Sequence, residues 1–209
     1  MKSISSITKL VLLSALFSSP AFCGTMSFMG EANYAKPNYS PSLVGTDTKA
    51  DSIYGGGIFL EEGLGSMFGI EIGGVYHPRK YELNSAILNQ TVTQNMIQVP
   101  LVLRVHFGDL LSIAGGVYYG MYVGNVSYNN AIGGVSVASS SSYSSANLSK
   151  TDYGFATSAG INLPITTSLK IGIEARYNMG MKNNNTTPSS TQTMRFKELT
   201  AMAGLRFEI

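Results

Sequence analysis

Read in steps of two, the chain gives one apolar row after another, each about ten residues long and interleaved with small or polar residues. Strict alternation of this kind is the signature of a strand with two different faces. The first row is Met26, Phe28, Gly30, Ala32 and Tyr34, with Ser27, Met29, Glu31 and Asn33 on the other side. The second carries Tyr54, Gly56, Ile58 and Leu60, and the third Phe68, Ile70, Ile72, Gly74 and Tyr76. In the fourth, Ile97 to Phe107 form an unbroken apolar row opposed by Gln98, Arg104 and His106. Four more rows follow, starting at Leu111, Tyr153, Leu169 and Leu199 and ending at Met121, Leu163, Met179 and Ile209.

The connections between these eight predicted strands alternate between short and long. Short turns run from Glu61 to Ser66, over Gly108-Asp109, and from Pro164 to Ser168. Long ones cover residues 35–49, 78–94, 124–150 and 180–194, the third being Ser-rich and free of charge between Asn125 and Ser149. A soluble barrel has no reason to gather its long loops at one end, whereas a barrel in an outer membrane has short periplasmic turns and long external loops. Rows of this length also match the roughly 9–11 residues that a tilted strand needs to cross hydrocarbon. Tyr34, Tyr54, Tyr76, Tyr119, Tyr153 and Tyr177 fall at the long-loop ends, and Phe28, Phe68, Phe107 and Phe207 near the short-turn ends. That sorting predicts two interfacial girdles.

Composition supports the same environment. The 209 residues are 44% hydrophobic and 12% charged, with 23 glycines, no tryptophan and one cysteine, well below the charge content of a typical soluble domain. Mean hydropathy is only +0.11, and beyond the first twenty-odd residues no apolar run is long enough for a membrane-spanning helix. Residues 1–23 combine Lys2 and Lys9, the apolar stretch from Leu10 to Phe17, and Ala21-Phe22-Cys23. This is the pattern of a secretory signal peptide, which leaves one predicted domain over 24–209. Its removal takes Lys2 and Lys9 from the 14 Lys+Arg, so that 12 basic residues face 12 acidic ones. No global basic charge remains to favour nucleic acid.

The eight rows, the signal segment and the last strand, ending Leu205-Arg206-Phe207-Glu208-Ile209, together resemble the small Gram-negative outer-membrane β-barrel proteins of the OmpA/OmpX-like, or porin-family, type. Ile97-Gln98-Val99-Pro100-Leu101-Val102-Leu103-Arg104 is similar to that family's fourth strand, and Ser112 to Gly120 to the glycine-and-tyrosine strand after it. Many such barrels end in an aromatic, whereas here Phe207 lies two residues before the terminal Ile209. The resemblance implies an all-β, eight-stranded antiparallel up-and-down transmembrane barrel, with outer-membrane lipid and lipopolysaccharide around it and the barrel-assembly machinery as partner during biogenesis. Pro100, which lacks an N–H, predicts a bulge or an inward-facing unpaired position.

If the apolar row faces lipid, the alternate row faces the lumen and carries Glu31, Glu71, Arg104, Glu174, Arg176 and Arg206. An eight-stranded interior is just wide enough for side chains to fill, so three acids and three bases there are expected to pair. Register extrapolated from the short turns places Gly57 beside Glu71, Ala114 beside Arg104 and Ser158 beside Glu174. At the long-loop ends Lys36, Lys49, Arg79, Lys80, Lys150 and Lys182 suggest a basic rim for lipopolysaccharide phosphates. Catalytic, cofactor and metal sites are not expected: His77 is the only histidine at that end, with Asp51 and Asp152 on other strands, and nothing in the spacing selects a triad. The expected role is structural or surface-interactive, through adhesion, host contact or membrane integrity. A small gated pore is the alternative, followed by a lipid-modifying enzyme; a soluble lipocalin-like carrier would not line its cavity with Glu71, Arg104 and Glu174.

Overall fold

The computed structural model describes residues 24–86, 88–132 and 135–209, so the predicted signal segment lies outside the described residues. Among the described residues ten strands form: β1 (Gly24–Ser40), β2 (Thr46–Leu64), β3 (Phe68–Tyr76), β4 (Arg79–Ser85), β5 (Asn89–Phe107), β6 (Leu111–Ile132), β7 (Val135–Ser141), β8 (Thr151–Pro164), β9 (Leu169–Gly180) and β10 (Thr193–Glu208). Each ring strand pairs antiparallel with its neighbours in the order β1, β2, β3, β5, β6, β8, β9, β10, and β10 returns to β1. The result is a closed eight-stranded barrel without a free edge around its girth, and strands, not helices, supply any crossing.

Two strands beyond the predicted eight lie in the long connections. β4 resumes the line of β3 after a break at His77-Pro78 and pairs with the upper parts of β2 and β5. β7 pairs with the end of β6 alone. The sequence marks these segments only as long connections, because they give no apolar row of strand length. Backbone pairing with the long barrel strands needs no such row, and it carries the sheet up past the barrel mouth.

Alternation decides which face each residue takes. Phe28, Tyr34, Ile58, Ile70, Ile72, Leu101, Leu103, Ile113, Val117, Phe155, Ile161, Ile173 and Leu205 all point outward and are exposed. An apolar surface of this extent on every ring strand belongs in hydrocarbon, not water. The six girdle tyrosines are exposed at its upper edge and Phe28, Phe68 and Phe107 at its lower edge, where Phe28 meets Phe207 edge to face at 6.0 Å.

Pro100 points inward, and the β3–β5 ladder lapses beside it, between Ile72↔Leu101 and Val75↔Gln98. The register shift of β5 lies higher, between Thr93 and Asn95, where β6 takes up the extra residues with Gly124 at φ +70°. Two of the extrapolated neighbours are corrected. Gly57 lies opposite Val75, and Ser158 opposite Arg176, while Arg104 does face Ala114. The turns are tighter than the sequence suggested, and β2 and β3 stay paired down to Leu64↔Phe68, which brings Glu61 opposite Glu71.

Candidate functional site: a layered lumen and a polar rim

Inward side chains form four stacked layers in the lumen. Lowest is an ionic layer built from one or two inward positions on each of β2, β3, β5, β9 and β10. Arg104 reaches Glu71 at 2.6 Å and Glu174 at 2.9 Å through the same Nη2, and its Nη1 donates to Ser112 at 3.0 Å. Arg176 lies 2.9 Å from Glu71 and 2.8 Å from Glu174. Arg206 completes the set at 3.3 Å from Glu71 and donates to Asn162 at 2.9 Å. Glu61 stands 3.4 Å from Arg104 and binds His106 below it. Three carboxylates thus meet three guanidiniums, all buried, which is how buried charge is tolerated.

This layer holds five of the six lumen residues expected from the sequence. The sixth, Glu31, also faces the lumen but in a higher layer: it lies opposite Gly55 and Met202 on its two neighbours and turns up and away from the arginines. Gly55 has no side chain in its path. Glu61 takes its place as third acid, although it looked like part of the short-turn rim.

Above the lower ions lie Met29, Phe59, Val75 and Met202, and beside them Val102, Ala114, Tyr118 and Ala156. The Arg176 guanidinium rests on the Phe59 ring at 5.0 Å, which joins the ionic and apolar layers.

A second ionic layer follows. His77 Nδ1 lies 2.7 Å from Glu31 and its Nε2 lies 2.9 Å from Glu198. An ionised carboxylate only accepts, so both ring nitrogens donate and the ring is an imidazolium. Arg79 binds Glu198 and the Tyr122 hydroxyl, and its Nη2 lies 2.7 Å from Asp152. Its guanidinium also stacks over Phe196 at 4.4 Å. Tyr118 donates to Asp152 at 3.2 Å and Asn178 to Glu198 at 3.3 Å. Glu31, Glu198 and Asp152 therefore share Arg79 and His77.

Arg79 was expected at the rim and is instead fully buried. Its inward parity runs on from Glu71, Val75 and His77 straight through Pro78. Asp152 and Glu198 belong to inward rows in the same way, and period-two counting continued past the last apolar residue would have found all three.

The fourth layer is an apolar cap of Tyr81, Val92, Met96, Tyr122, Val126, Tyr143, Met194 and Phe196, with Tyr39, Leu83, Tyr128 and Leu148 packed against it. Tyr122 and Tyr143 stack at 4.9 Å. At the opposite end a polar vestibule of about 410 Å³ opens between the short turns and stops at Glu61, His106 and Arg206.

On the rim, Lys80 is paired with Asp51 at 2.6 Å, and that bond holds the Asp51 carboxyl below its usual range. Lys49 lies opposite Glu82, and Lys182 bonds to the Thr151 hydroxyl. Lys36 and Lys150 are exposed. Lys36 faces Lys197 directly across the β1–β10 ladder.

A family model described as an outer membrane protein beta-barrel domain matches residues 51–186. No curated protein matches the chain. Among solved structures, the outer membrane protein OprG of Pseudomonas aeruginosa superimposes with a TM-score of 0.53 at 11% identity, over 90% of this chain and 96% of OprG. The attachment invasion locus protein Ail of Yersinia pestis gives 0.45 at 12% identity, over 88% and 99% of the two chains. The outer membrane protease OmpT of Escherichia coli gives 0.46 at 8%, over 92% and 99%. The likeness to OprG is one of fold.

Proposed function

The chain belongs to the outer membrane protein beta-barrel domain family and so resides in the outer membrane, and from that premise we propose that it is a closed barrel with a structural and surface-interacting role. The observation that carries this reading is the continuous filling of the lumen. Two salt-bridged layers, an apolar layer between them and an aromatic cap succeed one another along the axis, and the side chains that build them are buried.

Permeation would need more than one broken ion pair. Opening the lower layer exposes Phe59 and Tyr118, opening the upper layer still leaves Met96 and Phe196, and each step strands charges that have no other partner. Catalysis also finds little support. Both nitrogens of His77 are engaged by carboxylates, Asp152 is held by Arg79, and Asp51 lies outside with Lys80; among the described residues no hydroxyl is poised on the imidazole for activation. Contact with other surfaces falls to the uncharged β6–β7 hairpin, which stands beyond the rim with Val135 and Val137 exposed.

The test is single-channel recording in planar bilayers with the refolded protein. We expect a persistently silent bilayer. Reproducible, well-resolved conductance steps would overturn the closed reading in favour of a small gated pore.

A further inference from the structure

β1 and β2 stay paired up to Ala35↔Asp51 and then part. From there β1 continues along β10 as far as Ser40↔Thr193, and β2 along β4 as far as Thr46↔Ser85. The split leaves a cleft of about 440 Å³ in the outer wall, lined by Lys36, Asn38, Lys197, Ser42, Thr46 and Thr48 among others, with Asp47 its only acidic lining residue.

Lys36 and Lys197 are directly opposed across the ladder, and Arg195 follows two positions on, opposite Asn38. Like charges directly opposite one another destabilise a sheet unless something answers them. Lys80 and Lys170 each have a carboxylate partner; among the described residues none lies within salt-bridge distance of Lys36, Lys197 or Arg195. Height supplies the second clue. Tyr34 and Leu199, which end the apolar belt on these strands, are 48% and 57% exposed. The lysines sit two residues further along, about 7 Å up the strand, where acyl chains give way to headgroups.

We infer that this cleft binds the phosphorylated headgroup of an outer-leaflet glycolipid, with Lys36 and Lys197 on a phosphate and the loop hydroxyls on the adjoining sugar. The inference rests on outer-membrane residence and not on closure of the lumen. An anion between two ammonium groups relieves their repulsion, while Tyr34 and Leu199 receive the first part of an acyl chain. Asn38, Ser42, Thr46 and Thr48, which share the cleft with the single acid Asp47, suit a sugar better than a second cation-seeking group.

The experiment uses the folded barrel in detergent micelles, its fold confirmed by a mobility shift on heating, with lipid retention read by native mass spectrometry. Diphosphorylated lipid A, dephosphorylated lipid A and inorganic phosphate are the probes. Each of Lys36→Gln and Lys197→Gln is expected to weaken retention of the phosphorylated lipid about fivefold, and the double variant about thirtyfold; Lys150→Gln leaves it unchanged. Wild-type retention by the double variant, or equal retention of the dephosphorylated lipid, would overturn the site. Complete displacement by millimolar inorganic phosphate would overturn the lipid as its ligand in favour of a free anion. Channel activity in a barrel that still retains lipid A would refute the closed lumen and leave this site standing.

Discussion

Glu71 carries more of the lower layer than any other side chain, because Arg104, Arg176 and Arg206 all donate to it. Replacing it by Gln keeps the shape but leaves three buried guanidiniums with two carboxylates. Removing one partner of a buried network costs about 3–5 kcal/mol, so Glu71→Gln is expected to lower the urea midpoint of the micelle-folded barrel sharply. Lys80→Gln breaks a pair whose side chains are 35% and 31% exposed, and should cost less than about 1 kcal/mol. Equal midpoints for the two variants would mean that the lower layer is solvated. The charged residues of this layer were legible in the sequence through parity alone, since Glu71, Arg104, Glu174, Arg176 and Arg206 each lie between outward apolar residues. Glu61 and Arg79 were not, because each falls past the end of an apolar row and was assigned to a turn or a rim. The rows stop where hydrocarbon stops; the strands and their alternation do not.

At the scale of strands and loops, the cap is the element the sequence concealed. Its members come from the upper ends of β1, β4, β5, β6 and β10 and from the segment after β7, and within any one of them the apolar residues are too few to form a readable row. Only the pairing of β4 with both β2 and β5 brings them together. Burial in the cap pushes Tyr39 and Tyr143 up to about 12, and raises Tyr81 as well. A tyrosine that ionises near 10 when exposed and near 12 when capped retains its proton longer in the closed state. Closure is therefore unaffected at neutral pH and weakens as pH rises from about 10 to about 12. Absorbance titration at 295 nm should show a late-ionising group of tyrosines that joins the rest on unfolding. Ionisation of all tyrosines together near pH 10 in the folded protein would contradict the cap.

For the whole molecule, one alternation does two jobs. The outward row meets lipid with an apolar belt bounded by tyrosine and phenylalanine, and the inward row builds a stack of ionic and apolar layers that is fixed on all sides by the closed ladder. The exterior was fully legible in the sequence, because the lipid contact of each strand depends on that strand alone. The interior was legible only as composition, because which acid meets which base depends on register around the ring, and a shift of two to four residues at tight turns exchanged Glu61 for Glu31. The claim that joins both faces is that the space between the two ionic layers is dry and sealed. It is tested most directly by a single thiol placed there, since the sequence has only Cys23, in the predicted signal segment. Ala156 lies in that layer at 1% exposure. In intact outer membranes the Ala156→Cys variant should resist a small charged maleimide until the barrel is unfolded, while Ser139→Cys in the external hairpin reacts at once. Rapid labelling of both would show an open, water-filled lumen and contradict the account.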